Sequence, residues 1–248
     1  MNSILSAIIF GVCCVLVAVH AQRQSARSAI SSALLRSIIQ EEDCEVRPNS
    51  DIGGPTVWIN MHLIGLEKLK ERTNVLQAGL SVDLRWNDPR LSWDPEEYGN
   101  ITNIFLPIKK IWIPDITIWQ SADPTKPFFS KEQKIAQVFS TGDVLWAPKA
   151  TMTVYSDMSV NNVSDSIEHR ATAYLGSWML NVGQIDIQSS QPIIDLTMMH
   201  WSPLHLENTS VSRVVQVFNE IPGFNGYPLL QLNIFATERD NSSKSVIM

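Results

Sequence analysis

The chain has 248 residues, a net charge of −6 and 44% hydrophobic residues. This size and composition suit one large domain with a proper core, and all-β domains often reach this length. Mild acidity without a basic cluster argues against a nucleic-acid-binding function.

The first segment, Met1–Ala21, is a hydrophobic run that ends in Val19-His20-Ala21. It indicates a secretory signal peptide that is cleaved after Ala21, with a membrane anchor as the alternative. No later segment reaches about 18 apolar residues, so the sequence predicts no transmembrane helix. These features favour a secreted, extracellular protein.

Cysteine usage is unusual for a secreted protein. Cys13 and Cys14 leave with the signal peptide, so Cys44 alone remains and is either free or bonded to another molecule. No intramolecular disulfide is then possible. Four sequons fit a glycosylated extracellular surface, and they begin at Asn100, Asn162, Asn208 and Asn241.

Helical spacing of apolar residues comes first, in Gln24–Glu42, and predicts an amphipathic N-terminal helix. After a Pro/Gly-rich loop the period changes to two. Val57–Leu63 alternates apolar and polar residues, which predicts a strand with one buried face. The next residues, LEKLKER, have helical propensity, but a continuation of the strand into a turn fits their neighbours better.

The cleanest alternation in the chain lies between Leu80 and Trp86. Its apolar positions are predicted to face the core, while Ser81, Asp83 and Arg85 face outward. The WNDPRLSW segment that follows predicts a turn.

Three segments in the middle of the chain differ in pattern. Ile111–Asp123 (IWIPDITIWQSAD) predicts a half-buried strand that ends in a turn. Phe139–Tyr155 predicts a hairpin around Thr141-Gly142-Asp143. Ser156–Arg170 is polar and carries no strand pattern, whereas Ala171–Ile187 predicts one or two strands.

The last segments complete an all-β pattern. Pro192–Ser212 is predicted to be irregular, and Val214–Phe218 with Tyr227–Ala236 predicts a long hairpin. We therefore expect an immunoglobulin-like, two-sheet antiparallel β-sandwich of about ten strands, capped by the N-terminal helix. The domain is predicted to span residues 22–240, with 241–248 as a C-terminal tail.

Three motifs give the chain a family resemblance. They are the W-x-P-D strand followed by Trp119 and Ser121-Ala122-Asp123, the W-x-D-x-R-L segment that starts at Trp86, and Gly176-Ser177-Trp178. Over nearly all of its mature length the chain resembles the extracellular ligand-binding domains of Cys-loop receptors (pentameric ligand-gated ion channels), in the branch that includes the acetylcholine-binding proteins. The resemblance implies a homopentamer that binds a small molecule between subunits.

The principal side of such an interface carries an aromatic cage. The resemblance places Trp119 in loop A, Trp178 in loop B, and Phe218 and Tyr227 in loop C, with Phe224 as a competitor. Each ring face would contribute roughly 0.5–2 kcal/mol to the binding of a cation. The plainer interpretation is that these rings are core or rim packing.

The complementary side corresponds to loops D and E. The resemblance places Ser81 where nicotinic domains carry an aromatic residue, and Asp83 where inhibitory amino-acid receptors carry an arginine. Loop E implies contacts from Gln137, Leu145 and Ala147. Because Asp83 would repel an anion, the implied ligand is cationic or amphiphilic.

The cysteines that define the family are absent. Ser156 and the pair Arg170/Ala171 stand where the Cys-loop disulfide would be, and the loop C tip Ile221–Phe224 has no adjacent cysteine pair. The chain therefore resembles a Cys-loop domain without its Cys-loop. Packing must supply the stability, on the order of 2–4 kcal/mol, that such a bridge normally provides.

Patterns of catalytic or metal-binding residues are missing from the sequence. The histidines have no metal-ligand spacing, and there is no G-x-S-x-G, no phosphate-binding loop and no H-E-x-x-H. We therefore predict that the protein is not an enzyme and has no cofactor, no metal site and no nucleic-acid partner.

The main hypothesis is extracellular binding of a cationic or amphiphilic small molecule at the subunit interfaces of a homopentamer. Two alternatives stay open. One is the extracellular domain of a pentameric ligand-gated ion channel, on the outer face of the plasma membrane, whose membrane domain is not in this chain. The other is a secreted structural or adhesive β-sandwich without a ligand site.

Overall fold

A computed structural model describes residues 17, 19–22, 24–25, 28–39, 44–49, 53–69, 74–130, 132–161, 166–218 and 226–238. Most of the predicted signal peptide and the whole predicted tail 241–248 lie outside these residues. The boundaries of the signal peptide, domain and tail therefore stay predictions.

The described residues form an N-terminal helix followed by eleven β-strands. The helix, α1, includes residues 28–38. The strands are β1 Thr56–Lys68, β2 Val75–Asn87, β3 Asn103–Pro107, β4 Ile116–Ile118, β5 Ile135–Phe139, β6 Asp143–Trp146, β7 Lys149–Asn161, β8 Ser166–Ser177, β9 Asp186–Gln188, β10 Leu204–Gln216 and β11 Tyr227–Glu238. Short 3-10 helices lie between β2 and β4, at Pro89–Leu91, Pro95–Tyr98 and Ile108–Lys110.

Strand β7 joins the two sheets of a sandwich. Its first half pairs antiparallel with β2 up to Tyr155, and its second half pairs antiparallel with β8 from Ser156 onward. The strand order along this path is β10-β11-β8-β7-β2-β6-β5-β3, while β1 pairs with β2 and β9, and β4 pairs with β8. Among the described strand pairs, only β1 and β9 run parallel. The predicted all-β fold with an N-terminal helix is confirmed, with eleven strands instead of about ten.

The core lies between the sheets and is closed at one end by α1. The apolar positions from Leu80 to Trp86 are buried, and the outward positions of the same strand are at least partly exposed, as the alternation predicts. Leu34 and Ile38 of α1 are buried in the same core cluster as residues from both sheets. Burying these side chains is the main favourable term in the stability of the sandwich.

The W-x-D-x-R-L motif closes strand β2. Asp88 is 1% exposed and accepts two side-chain hydrogen bonds from Arg90, each 2.8 Å long. Arg90 also donates to the Val46 carbonyl at 2.9 Å. The backbone N–H of Asp88 donates to the carbonyl of Gly142, whose φ of +83° a side chain would strain. The motif therefore ties β2 to the β5–β6 turn predicted at this glycine.

Two segments predicted to lack strands are strands in the structure. Ser156–Arg170 was expected to carry none, but β7 and β8 pair along it up to Asn161 and Ser166. Polar residues suffice there because the second half of β7 is mostly exposed and backbone hydrogen bonds carry the pairing. Residues Leu204–Ser212, expected to be irregular, belong to β10, an edge strand with one largely exposed face.

The predicted strand over Ile111–Asp123 is shorter than expected. Only Ile116–Ile118 pairs as a strand, with β8. Pro114 has no backbone N–H to donate, and the Asp115 side chain bonds to Ser177 at the end of β8 and to Met179 just after it.

Candidate ligand-binding site

Four aromatic side chains form a cluster on one side of the sandwich. The Trp119 ring lies 5.8 Å from the Trp178 ring, 6.1 Å from the Phe218 ring and 5.0 Å from the Tyr227 ring, between centroids. Phe218 and Tyr227 are themselves 6.1 Å apart. We call these four residues the aromatic cluster. Sequence motifs placed them in three separate loops, and the structure brings all four together.

Each ring of the aromatic cluster stands at the end of a strand. Trp119 directly follows β4, Trp178 follows β8, and Tyr227 begins β11, where it pairs with Gln216 at the end of β10. Phe218 lies two residues beyond Gln216. Strand pairing therefore fixes the relative positions of the rings. The alternative Phe224 and the loop tip Ile221–Phe224 lie outside the described residues.

Asp115 connects the segments that carry the two tryptophans, a role that sequence reasoning missed. It accepts a 2.6 Å hydrogen bond from the Ser177 hydroxyl and a 2.9 Å bond from the Met179 backbone N–H. The Trp119 indole N–H donates to the Ser177 carbonyl at 3.2 Å. The signal was present in the W-x-P-D motif, but its aspartate was not assigned a partner.

The aromatic cluster is open to solvent in a single protomer. Trp178 is 59% exposed and Phe218 is 42% exposed, whereas Trp119 and Tyr227 are half-buried. Large aromatic surfaces of this kind usually mark a binding surface. Exposed ring faces beside one another can hold a quaternary or protonated amine by cation–π attraction.

A cavity of about 430 Å³ adjoins the aromatic cluster. Asp115 and Asp123 both line it. Hydrogen bonds from the hydroxyl of Thr125 and the ammonium of Lys126 hold the pKa of the Asp123 carboxyl below its usual range. Lys126, which also lines the cavity, lies 3.0 Å from Asp123 and offsets its charge, so Asp115 adds most of the attraction for a cation on this side of the molecule.

The five predicted complementary residues lie on neighbouring strands of the other sheet. Ser81 and Asp83 are on β2, Leu145 on β6 pairs with Gln137 on β5, and Ala147 directly follows β6. We call them the complementary row. The aromatic cluster lies on the opposite side of β7 in the strand order, among β4, β8, β10 and β11. The two sets therefore form two separate surfaces of one protomer.

Asp83 does not stand alone as the sequence suggested. Its Oδ2 lies 3.7 Å from Nε2 of His62 and 3.9 Å from Nη2 of Arg85. His62 belongs to β1 and pairs directly opposite Ser81, so both face the same side of the sheet. Sequence reasoning assigned His62 no role, because the alternation in β1 and β2 does not give the register that places His62 opposite Ser81.

The Cys-loop positions hold a polar network in place of a disulfide. Ser156 pairs directly opposite Ala171, one of the two positions, Arg170 and Ala171, where the resemblance implies the second cysteine. The Ser156 hydroxyl lies 3.3 Å from Nδ1 of the fully buried His169, whose Nε2 lies 3.1 Å from Oε1 of Glu238. Lys68 donates to the same oxygen at 2.6 Å. This network links β1, β7, β8 and β11.

The structure also describes two of the predicted glycosylation sites and Cys44. Asn100 and Asn208 are exposed, and Asn162 and Asn241 lie outside the described residues. Cys44 is half-buried.

Within the described ranges, no group of histidine, cysteine, aspartate and glutamate could hold a metal ion. None of the described helices has both the length and the apolar character to cross a membrane.

An aromatic cluster on strand ends of a two-sheet sandwich, with acidic neighbours, defines a ligand-binding β-domain. The family model for the neurotransmitter-gated ion-channel ligand binding domain matches residues 31–220. The chain belongs to this family. Its domains bind ligands and are not enzymes, which agrees with the prediction from the sequence.

Relatives among known proteins are receptor subunits. The chain is 29% identical to the acetylcholine receptor subunit beta-type acr-2 of Caenorhabditis elegans over 61% of its own length and 26% of the relative. It is 29% identical to the acetylcholine receptor subunit beta-like 2 of Drosophila melanogaster, over 68% of the chain and 29% of the relative. A neuronal acetylcholine receptor subunit alpha-2 of Mus musculus is 29% identical over 56% of the chain and 27% of the relative. The chain thus spans between a quarter and a third of each of these relatives.

Proposed function

We propose that this protein is an extracellular domain that binds cationic or amphiphilic small molecules at the subunit interfaces of a homopentamer. The observation that supports this most strongly is the aromatic cluster around Trp119. Three further rings lie within 6.1 Å of its ring, by centroid distance. Acidic groups in the adjoining cavity add attraction for a cation.

A complete site would need two protomers. The aromatic cluster and the complementary row lie on different surfaces of one protomer, so a head-to-tail contact is required to bring them together. Apolar side chains such as Phe105 (65% exposed) and Ile135 (60% exposed) also need a partner surface. Repetition of a head-to-tail contact gives a closed ring when the rotation between neighbours divides a full turn, and we propose that here it closes after five protomers.

Light scattering on the purified mature protein tests the assembly. We expect about five times the protomer mass, since the contact described above closes a pentameric ring in the proposal. A stable monomer at micromolar concentration would contradict the proposed interface site. Treatment with a peptide N-glycosidase is a separate test of glycosylation, and it should lower the mass of the protein if Asn100 and Asn208 carry glycans.

Calorimetry with a ligand panel tests the chemistry. Quaternary amines and sterol-like cationic amphiphiles should bind, with the small quaternary amines weaker because Ser81 leaves the complementary side open. Trp178→Ala should weaken binding about tenfold or more, because the most exposed ring of the cluster is lost. Tyr155→Ala is the matched control, since Tyr155 is an exposed aromatic residue on β7 that belongs neither to the aromatic cluster nor to the complementary row. Tight binding of glutamate or glycine that Trp178→Ala leaves unchanged would place the site elsewhere.

A second candidate function is the extracellular part of a receptor subunit that forms an ion channel. The relatives named above favour it, because each is a receptor subunit of which this chain matches only a portion. Sequencing the transcript beyond Met248 separates the two, since a channel needs membrane segments of about 20 apolar residues each. A panel in which nothing binds would favour the structural or adhesive alternative.

A further inference from the structure

His62 stands between two carboxylates on the complementary side. Its Nδ1 lies 2.9 Å from Oδ2 of Asp195, which is a hydrogen bond, and its Nε2 lies 3.7 Å from Oδ2 of Asp83, which is too far for one. The imidazole is about 20% exposed and Asp83 about 26%. The ring is therefore held firmly on one edge and reaches the surface on the other.

The bond to Asp195 determines which nitrogen carries the proton. A carboxylate can only accept a hydrogen bond, so Nδ1 must be the protonated nitrogen. Donors on the backbone and side chain of Thr197, followed by His62, hold the pKa of Asp195 below its usual range, which keeps it an acceptor. In the neutral imidazole, Nε2 is then an acceptor that faces a second acceptor, the Asp83 carboxylate.

Two acceptors 3.7 Å apart are a site for a donor with positive charge. We propose that His62 is a specificity-determining residue of the interface site, which together with Asp83 receives a primary ammonium group at the far end of a ligand. This inference rests on the proposed function, because the near end of the ligand would sit in the aromatic cluster of the adjacent protomer. The preferred ligand is then a dication with a quaternary head and an N–H donor tail.

The charged groups on the elements packed against His62 are Asp83 and Arg85 on β2, Lys149 opposite Ser81 on β7, and Asp195 before β10. A ligand ammonium would contact Nε2 of His62 and the Asp83 carboxylate, with the Arg85 guanidinium 3.9 Å from the same Asp83 oxygen.

Calorimetry on the assembled protein with three ligands of one alkyl chain length tests the proposal. The first is an alkyltrimethylammonium, the second carries a primary amine at its other end, and the third carries a second trimethylammonium. At about pH 8 the amine-ended compound should bind about tenfold more tightly than the first, since a charge-assisted hydrogen bond is added. It should also bind more tightly than the bis-quaternary compound, which has the second charge but no N–H to donate.

Substitution completes the test. His62→Ala should largely remove the tenfold preference for the amine-ended compound, because only one of the two acceptors remains. The readout is the ratio of the affinities for the amine-ended compound and the alkyltrimethylammonium, so a loss common to all ligands does not count. His205→Ala is the matched control, because His205 is an exposed histidine on β10 beside Glu207.

The outcomes separate the two proposals. Equal binding of all three ligands, with Trp178→Ala still weakening each, would overturn the role of His62 and leave the aromatic cluster intact. If His62→Ala fails to assemble, Asp83→Asn decides, because loss of that carboxylate should reduce the same preference. Failure of every ligand to bind would overturn the proposed function and this inference together.

Discussion

The buried network at the former Cys-loop positions makes a specific prediction for Glu238→Ala. His169 is fully buried, and its Nε2 must carry a proton because the Glu238 carboxylate 3.1 Å away can only accept. Removal of the carboxylate leaves this N–H without its partner. A buried donor that loses its acceptor costs about 1–3 kcal/mol.

The ion pair with Lys68 adds a smaller amount. Both side chains are 29% exposed, so solvent screens much of the 2.6 Å contact and its loss adds at most about 1 kcal/mol. We therefore expect Glu238→Ala to lower the free energy of unfolding by about 2–3 kcal/mol. Glu238→Gln should cost less, because its amide oxygen can still accept from His169.

Chemical denaturation at fixed protein concentration is the assay, since assembly also contributes to stability. Glu207→Ala is the matched control. Glu207 accepts a 3.0 Å hydrogen bond from Thr237 between the neighbouring strands, but its side chain is 37% exposed, so the change should stay below about 0.5 kcal/mol. Equal losses for Glu207→Ala and Glu238→Ala would refute the reasoning from burial.

The pH dependence has a definite sign. Partial burial alone would raise the pKa of Glu238, but hydrogen bonds from Lys68 and His169 outweigh it and hold the pKa below the ordinary value of 4.5. A lowered pKa means that the carboxylate stabilises the fold above its unfolded pKa and loses this contribution as the pH falls through its folded pKa. The stability difference between the unsubstituted protein and Glu238→Gln should therefore shrink below about pH 4.5.

Three further predictions concern the site and the strand pairing. Gly176→Ala should destabilise the protomer by about 1–3 kcal/mol in denaturant titrations, because an added Cβ would lie 2.4 Å from Cδ2 of Leu229 on β11. Gly79→Ala on β2 is the matched control and should cost less, since its Cβ would meet only Cβ of Ile64 at 4.0 Å. Asp115→Asn should weaken quaternary-amine binding, since it removes a carboxylate that lines the cavity and disturbs the 2.6 Å and 2.9 Å bonds to Ser177 and Met179. An unchanged affinity by calorimetry would show that Asp115 neither attracts the cation nor positions Trp178. The double variant Ser156→Cys/Ala171→Cys should form a disulfide and raise the free energy of unfolding by up to about 3 kcal/mol, because the two residues pair directly opposite one another. Dithiothreitol should remove this increase, while it leaves the stability of the unsubstituted protomer unchanged.

Much of the fold could be predicted from periodicity. Alternation with a period of two between Leu80 and Trp86 determines which side chains enter the core, because successive side chains of a strand point to opposite faces. The amphipathic helix and the β5–β6 turn at Gly142 follow from equally local rules. Where pairing does not bury an apolar face, as in the second half of β7, the sequence carried no such signal and the prediction failed.

The candidate site, like the fold, was predicted only in part from the sequence. Motifs in the sequence predicted that Trp119 and Trp178 lie together although they are far apart along the chain, and the structure places their rings 5.8 Å apart. Only the tertiary structure decided what surrounds them: Asp115 holds the segment after β8, and the rings of Phe218 and Tyr227 close around Trp119. His62 meets Asp195 across 133 positions of sequence because β1 lies between β2 and the chain that follows β9. Contacts of this kind depend on strand order and register, which local periodicity does not encode.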